Sequence, residues 1–324
     1  MRNSESRENK KGPVIHATNP KTSLPPEPRQ VIRSLDGKIF RQAIEYCVVD
    51  HCNLRCAGCD HASPHLSRRF ADWHAFAADI EALGPHMHAR VLRLVGGEPL
   101  LHPNLPAFVE RARAVGIADE VWLWSNGLLL HAMPRELLEQ FDVIRVSIYP
   151  GVSIRANLTQ LQKDLAARRG TKLEMVTVNK FMHQLLNHPV ADSDRTRETF
   201  LRCKETHVWS CHTVHEGRYY KCTKPALLRQ RLANCGIQIS SVLDDGVALH
   251  SNPSLREDLE AYLLSKTPLK ACAWCLGTDG KRFAHHQLTA TELDQERLQR
   301  TPAKSLLAHP LQQVMRDIRD SLYH

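Results

Sequence analysis

Between residues 44 and 181 the chain alternates β-like runs with helical ones, and this alternation limits the fold more than any other feature. "IEYCVVD" (44–50), "RVLRLVGGEP" (90–99), "EVWLWSNGLLL" (120–130), "DVIRVSIYPG" (142–151) and "KLEMVTVNKF" (172–181) are rich in β-branched and aromatic residues. Between them lie "DWHAFAADIEAL" (72–83), "NLPAFVERARAVG" (104–116), "PRELLEQF" (134–141) and "LTQLQKDLAARRG" (158–170), with apolar residues at helical spacing and Gly116 and Gly170 as stops. Strands alternating with helices make βα units and a parallel sheet. Gly, Asn, Pro or Cys stands near the C-terminal end of each strand, the sheet edge where ligand chemistry sits in such folds.

The first β-like run leads directly into "HCNLRCAGCDHASP" (51–64), where Cys52, Cys56 and Cys59 follow C-x3-C-x2-C. The N-terminus is polar with no apolar signal core, and no run of about 18 apolar residues suggests a membrane span. The expected compartment is therefore the cytoplasm. There thiols stay reduced, so ten cysteines point to metal or redox chemistry rather than disulfides. Three thiolates on one loop suit a four-iron cluster whose last iron takes a ligand from outside the protein. A zinc knuckle is the alternative.

"CNLRCAGC" together with "GGEPLLHPNL" (96–105) resembles the radical S-adenosylmethionine (radical SAM) superfamily over about residues 44 to 200. The resemblance implies a partial parallel (β/α)6-type barrel. It also implies a 4Fe–4S cluster on Cys52, Cys56 and Cys59, with S-adenosylmethionine as the fourth ligand. That cofactor is then cleaved to methionine and a 5′-deoxyadenosyl radical, which abstracts a substrate hydrogen. Gly96 and Gly97 would let the backbone approach the ligand. Glu98 would accept from the methionine ammonium, and Pro99 would stiffen the turn. Ser125 and Asn126 would bind polar groups of the cofactor, and Ser147 its carboxylate or ribose, with Asn179 a weaker candidate. Ser125, Asn126 and Ser147 can equally be ordinary strand-end polar residues. The family often has an aromatic residue before the third cysteine, near the adenine, and here that position is Gly58.

After residue 200 the texture changes, with Cys203, Cys211, Cys222, Cys235, Cys272 and Cys275. "HTVHEGRYYK" reads as a β-hairpin turning at Gly217. The pattern C-x13-G-x4-C followed by C-x2-C resembles the twitch or SPASM extensions of radical SAM enzymes. No cysteine follows Cys275, which favours the shorter twitch form. It implies one auxiliary 4Fe–4S cluster on Cys203, Cys222, Cys272 and Cys275, with a zinc site on the same thiolates as the alternative. Cys47 reads as a buried strand residue. Cys211 and Cys235 are candidate hydrogen-atom donors to a substrate radical, or incidental, and Cys211 could replace Cys203 as a ligand. His61 and His65 are the histidines best placed for a substrate cavity. Trp122, Trp124 and Tyr149 read as core. The expected division is a flexible arm (1–40), a radical SAM core (41–200), a small Cys-rich α+β twitch/SPASM-like domain (201–285) and a helical tail (286–324) that packs outside and carries no chemistry.

The net charge of +8 and the pI near 9.0 read as a solvated surface, because Lys and Arg are spread along the chain. No aromatic-interleaved basic run argues for a nucleic-acid partner, and no membrane partner is expected. The expected function is dehydrogenation, epimerisation or dehydration of a sugar or aminocyclitol-type small molecule. A maturase acting on a ribosomally made peptide is the first alternative, and a non-enzymatic zinc-binding module the second. GGEP after a strand and the βα alternation argue against that module. The resemblance implies an electron donor such as flavodoxin or ferredoxin.

Overall fold

The computed structural model describes residues 34, 36–239, 244–298 and 306–307. Most of the expected arm, and the tail after 298 apart from 306–307, lie outside the described residues. Ten strands are present among them: β1 (Ile39–Val49), β2 (Met87–Gly96), β3 (Ala118–Ser125), β4 (Val143–Ile148), β5 (Lys172–Thr177), β6 (Lys180–Met182), β7 (Thr213–His215), β8 (Arg218–Tyr220), β9 (Val247–Ala248) and β10 (Arg282–Ala284). The helices are α1 (Trp73–Leu83), α2 (Leu105–Val115), α3 (Arg135–Leu138), α4 (Leu158–Arg168), α5 (Ser193–Arg202), α6 (Lys204–His207), α7 (Thr223–Asn234), α8 (Leu255–Leu264) and α9 (Ala290–Leu298).

Eight strands form one sheet in the order β5-β4-β3-β2-β1-β7-β8-β9, and β10 pairs with β6 in a second, two-stranded sheet. β1 to β5 are parallel to their neighbours, as the βα alternation requires. β7 is also parallel to β1, through Glu45↔Thr213 and Tyr46↔Val214. The sixth parallel strand of the partial barrel therefore comes from the Cys-rich segment, and the expected boundary at 200 is no break in the sheet. β7 and β8 form the hairpin expected around Gly217, with positive φ at both Glu216 and Gly217, as a two-residue turn matching strand twist requires.

Side chains alternate across each strand. Ile44, Tyr46, Val48, Leu92, Leu94, Val121, Leu123, Ile144 and Val146 pack against Phe76 and Ile80 of α1 and Phe108 and Val109 of α2, all in one buried cluster. Full burial of such a side chain contributes roughly 1.5–3 kcal/mol, so this face holds the sheet and its helices together. α1 and α4 start on side-chain caps, Asp72 accepting from the Ala75 N–H at 2.8 Å and Asn157 from the Gln160 N–H at 3.1 Å. The opposite, inner face carries the polar residues Glu45, Arg93 and Arg145 with Trp122 and Trp124. The expected strand at 120–130 stops at Ser125, because Gly127 turns the chain at φ 77°.

Candidate metal centre

The loop after β1 is held from both sides. The Ala57 N–H donates to the His286 carbonyl at 3.1 Å and the Leu288 N–H to the Arg55 carbonyl at 2.7 Å. Residues 285–288 thus strap the cysteine loop, a correction to the expectation that everything from 286 onward packs outside. Cys52, Cys56 and Cys59 are free thiols that sense one another's charge. Burial, with the neighbouring thiols and Glu98 adding to it, pushes Cys52 up to about 12. Burial and Cys59 push Cys56 up to about 11. N–H groups aim at the sulfurs: Leu54 N at 3.4 Å and Asn126 Nδ2 at 3.5 Å from Cys52, Gln287 Nε2 at 3.1 Å from Cys56. His285 Nε2 lies 3.3 Å from the Cys56 sulfur. A donor set like this fits a strongly cationic group, which alone makes three crowded, buried thiolates affordable and releases their protons on binding.

Gly96 and Gly97 pack directly on this loop. A Cβ on Gly96 would stand 2.0 Å from the Val49 carbonyl oxygen, and one on Gly97 2.0 Å from that of His51. The bare backbone lets Gly97 N–H reach Val49 O at 2.7 Å and Glu98 N–H reach His51 O at 3.1 Å. Gly96 and Gly97 thereby dock the end of β2 on the root of the cysteine loop. Pro99 opens a short 3-10 turn (Pro99–Leu101), where its missing N–H costs nothing.

Glu98 has a structural role that the sequence did not suggest. It is fully buried, and its oxygens accept from Leu100 N–H (3.0 Å), Ser125 Oγ (2.8 Å) and Asn126 N–H (2.8 Å). Ser125 accepts in turn from Gly127 N–H at 2.9 Å. Glu98 and Ser125 therefore tie the ends of β2 and β3 together. Burial raises Glu98 to about 7. Its folded value lies above the ordinary carboxylate value, so its contribution to stability is full below about pH 4.5 and lost as pH rises through about 7. Glu98→Gln removes that dependence. Urea titrations of the apo chain are expected to show wild type losing on the order of 3 kcal/mol relative to the variant between about pH 4.5 and 7. Parallel stability curves would contradict this.

Asn126 keeps a place beside the thiols: Nδ2 donates to Asn53 Oδ1 at 2.7 Å as well as facing Cys52. Ser147 is half-buried and hydrogen-bonded to Tyr149. Tyr149, expected in the core, lies close enough to Cys56, Cys59 and Cys52 to feel their charge and stacks on His285 at 4.9 Å. Gly58 has φ 61°, and a Cβ there would stand 2.7 Å from Phe283 Cζ and 2.9 Å from the Met182 carbonyl oxygen. An aromatic side chain at 58 has no room, because the Phe283 ring from β10 already fills that space. His65 is bound to Glu296 at 3.0 Å, whereas His61 has a buried Nε2 with no partner among the described residues.

Cys203, Cys222, Cys272 and Cys275 all line one small cavity, with Phe200, Glu205, Lys224 and Leu269 around them. The thiols of Cys222, Cys272 and Cys275 each feel Cys203, and burial holds all four above the ordinary thiol range. Gly277 N–H points at the Cys275 sulfur at 3.2 Å. Among the described residues no three His, Cys, Asp or Glu side chains are grouped as a single metal ion requires. Cys211 is half-buried outside this cavity and feels the charges of Glu45, Glu205, Asp60 and Arg93. Cys235 is buried at the far end of the 12-residue α7 from Cys222. At 1.5 Å per residue that is roughly 18 Å from Cys222, and its neighbour Asn234 donates to the His65 carbonyl at 2.9 Å. Cys47 is buried in β1, as expected.

The family model for a "4Fe-4S single cluster domain" matches residues 36–169, which contain the cysteine loop and the Gly-Gly-Glu-Pro turn. That match, over less than half of the chain, agrees with the radical SAM resemblance of those two motifs. The chain is 26% identical over 219 residues to a GTP 3′,8-cyclase of Chlorobaculum tepidum, covering 63% of the chain and 65% of the relative. It is 32% identical over 108 residues to one from Thermodesulfovibrio yellowstonii, covering 30% and 32%. The chain thus spans less than two thirds of the curated relatives it matches. Among solved structures it is similar to BtrN in complex with AdoMet and 2-DOIA, at TM-score 0.41 and 16% identity over 75% of this chain and 94% of that one. It is also similar to Streptococcus suis SuiB, at 0.34 and 15% over 42% and 32%. The 4Fe–4S description of the matched model agrees with a cluster at Cys52, Cys56 and Cys59. Among its described residues no helix is long and apolar enough to cross a membrane.

Proposed function

We propose that the protein is a radical SAM enzyme that takes a hydrogen atom from a small polar molecule held on the inner face of the sheet. When bound, a 4Fe–4S cluster on Cys52, Cys56 and Cys59 with S-adenosylmethionine at its open iron supplies a 5′-deoxyadenosyl radical. Cys203, Cys222, Cys272 and Cys275 hold a second cluster in this reading. The same chemistry needs a low-potential electron donor, for which flavodoxin or ferredoxin is proposed, and a reducing, cytoplasmic setting.

One observation carries the substrate class. The inner face is polar but charge-balanced: Arg93 donates to Glu45 at 3.0 Å, and Arg145 to Glu174 at 2.7 Å. Both guanidinium groups stack on Trp124, at 4.8 and 5.1 Å from the ring. Paired donors and acceptors against an indole suit a ring bearing hydroxyl or amino groups, such as a sugar or aminocyclitol, better than a lipid or a polyanion. Cys211 adds a thiol beside Glu45 and Arg93 that burial keeps protonated. A protonated thiol there can return a hydrogen atom to the opposite face of a substrate radical, which is epimerisation; the Cys211 thiyl radical left behind then takes a proton and an electron from the low-potential donor. Without that step, a substrate radical that gives an electron to the second cluster and loses a proton is dehydrogenated, and one that loses a neighbouring hydroxyl as water and then takes an electron and a proton from the same donor is dehydrated.

The test is anaerobic turnover with S-adenosylmethionine, dithionite and deuterated candidates from four classes: sugars, aminocyclitols, GTP and short peptides. The reading predicts 5′-deoxyadenosine carrying deuterium from a sugar or aminocyclitol. Deuterium from GTP alone would move the function to that of the curated relatives, and from peptide alone to a maturase. Solvent deuterium in the product that disappears in Cys211→Ala would assign epimerisation.

A further inference from the structure

Between the two thiol groups lies an ionic triad of buried Lys224 and Glu205 with half-exposed Asp60, each member one or two residues from a cysteine. Lys224 follows Cys222, Glu205 follows Cys203, and Asp60 follows Cys59. The Lys224 ammonium is almost fully buried, and all three of its donors are used: on the Asp60 carboxylate, on the Asp60 carbonyl at 3.0 Å and on Glu205 at 3.2 Å. Glu205 is 2% exposed and is also held by the Gln184 side-chain amide. Burying such a triad costs more than packing apolar side chains of the same volume, so its gain lies elsewhere than in bulk stability. Lys224 also lines the four-thiol cavity.

We propose that the Asp60–Lys224–Glu205 triad is a positioning and charge-coupling element between the two thiol sites. It docks the Cys203 and Cys222 segments on the Cys59 loop and places one cation where both sites feel it. The proposal rests on the reading that Cys203, Cys222, Cys272 and Cys275 hold a redox-active cluster. A second buried lysine provides the internal control. Lys221 is 2% exposed and lies near Cys222 and Cys272, but its ammonium donates to the Ser265 carbonyl at 2.7 Å and sits over Phe200 and Tyr262. It therefore offers charge to the auxiliary site without a tie to Asp60.

The experiment is an EPR-monitored redox titration of the anaerobically reconstituted full chain, with iron counted in each sample. Wild type is compared with Lys224→Met, Lys221→Met and Asp60→Asn. Removing a cation makes an anionic centre harder to reduce. Lys224→Met is expected to lower the reduced-to-oxidised ratio of the auxiliary centre about tenfold at fixed potential, a shift of about 59 mV for one electron, and to move the first centre as well. Lys221→Met is expected to move the auxiliary centre alone. Asp60→Asn keeps the shape of a half-exposed side chain on the first loop, and it is expected to shift the auxiliary centre across the interface. If Lys224→Met loses its iron, Asp60→Asn decides. Unmoved auxiliary potentials in Asp60→Asn, or identical behaviour of Lys224→Met and Lys221→Met, would overturn the coupling. About four irons in wild type would instead sink the auxiliary-cluster reading itself.

Discussion

Gly97→Ala is expected to lower the unfolding free energy of the apo chain by about 3–5 kcal/mol, a large part of the roughly 5–15 kcal/mol that holds a domain folded. The added Cβ would stand 2.0 Å from the His51 carbonyl oxygen and 2.9 Å from the Cys52 N. Both obstacles are backbone, so no rotamer change relieves them. Separating the two segments breaks the hydrogen bonds from Gly97 N–H to Val49 O (2.7 Å) and from Glu98 N–H to His51 O (3.1 Å). Each contributes about 1 kcal/mol, with overpacking adding about 1–3 kcal/mol. Gly151→Ala is the control. Its φ of 76° strains alanine, but nothing lies within 4 Å of the new Cβ, so the cost should stay at about 1–2 kcal/mol. Urea unfolding of the three proteins checks the order, and a Gly97→Ala value within about 1 kcal/mol of wild type would contradict it.

Cys56→Ala is expected to reduce 5′-deoxyadenosine formation to the level of a cluster-free control while leaving the apo fold intact. Cys56 is 7% exposed, and the side chains that hydrogen-bond its sulfur are Gln287 and His285 of the strap. Removing it therefore strips a ligand without opening a core. Circular dichroism and unfolding confirm the fold, and the anaerobic assay reads the loss. Turnover at the wild-type rate would show that the loop is not where S-adenosylmethionine is cleaved.

What the sequence disclosed was local. C-x3-C-x2-C and Gly-Gly-Glu-Pro are short windows whose spacing carries their chemistry, and the βα rhythm places them on one sheet edge. The Gly217 hairpin was legible because its turn residues are. What stayed hidden was non-local. Gln287 and His285 reach Cys56 from 231 and 229 residues away, with no pattern to join them. β7 is three residues long, too short for a periodicity, so its place as the sixth parallel strand could not be read. Sequence shows Glu98 as an acceptor without showing that Leu100, Ser125 and Asn126 already donate to it. Gly58 looked like a missing aromatic, whereas Phe283 arrives from β10 to fill the gap. Lys224 looked like surface charge until Asp60 and Glu205 closed around it.

The central claim is that two separate thiol groups each hold a four-iron cluster. Iron per chain after anaerobic reconstitution tests it, in wild type and in Cys52→Ala/Cys56→Ala/Cys59→Ala together. Two cubane clusters predict about eight irons in wild type and about four in the triple variant. About four falling to about zero would contradict the auxiliary site, and no iron in either would contradict the whole account.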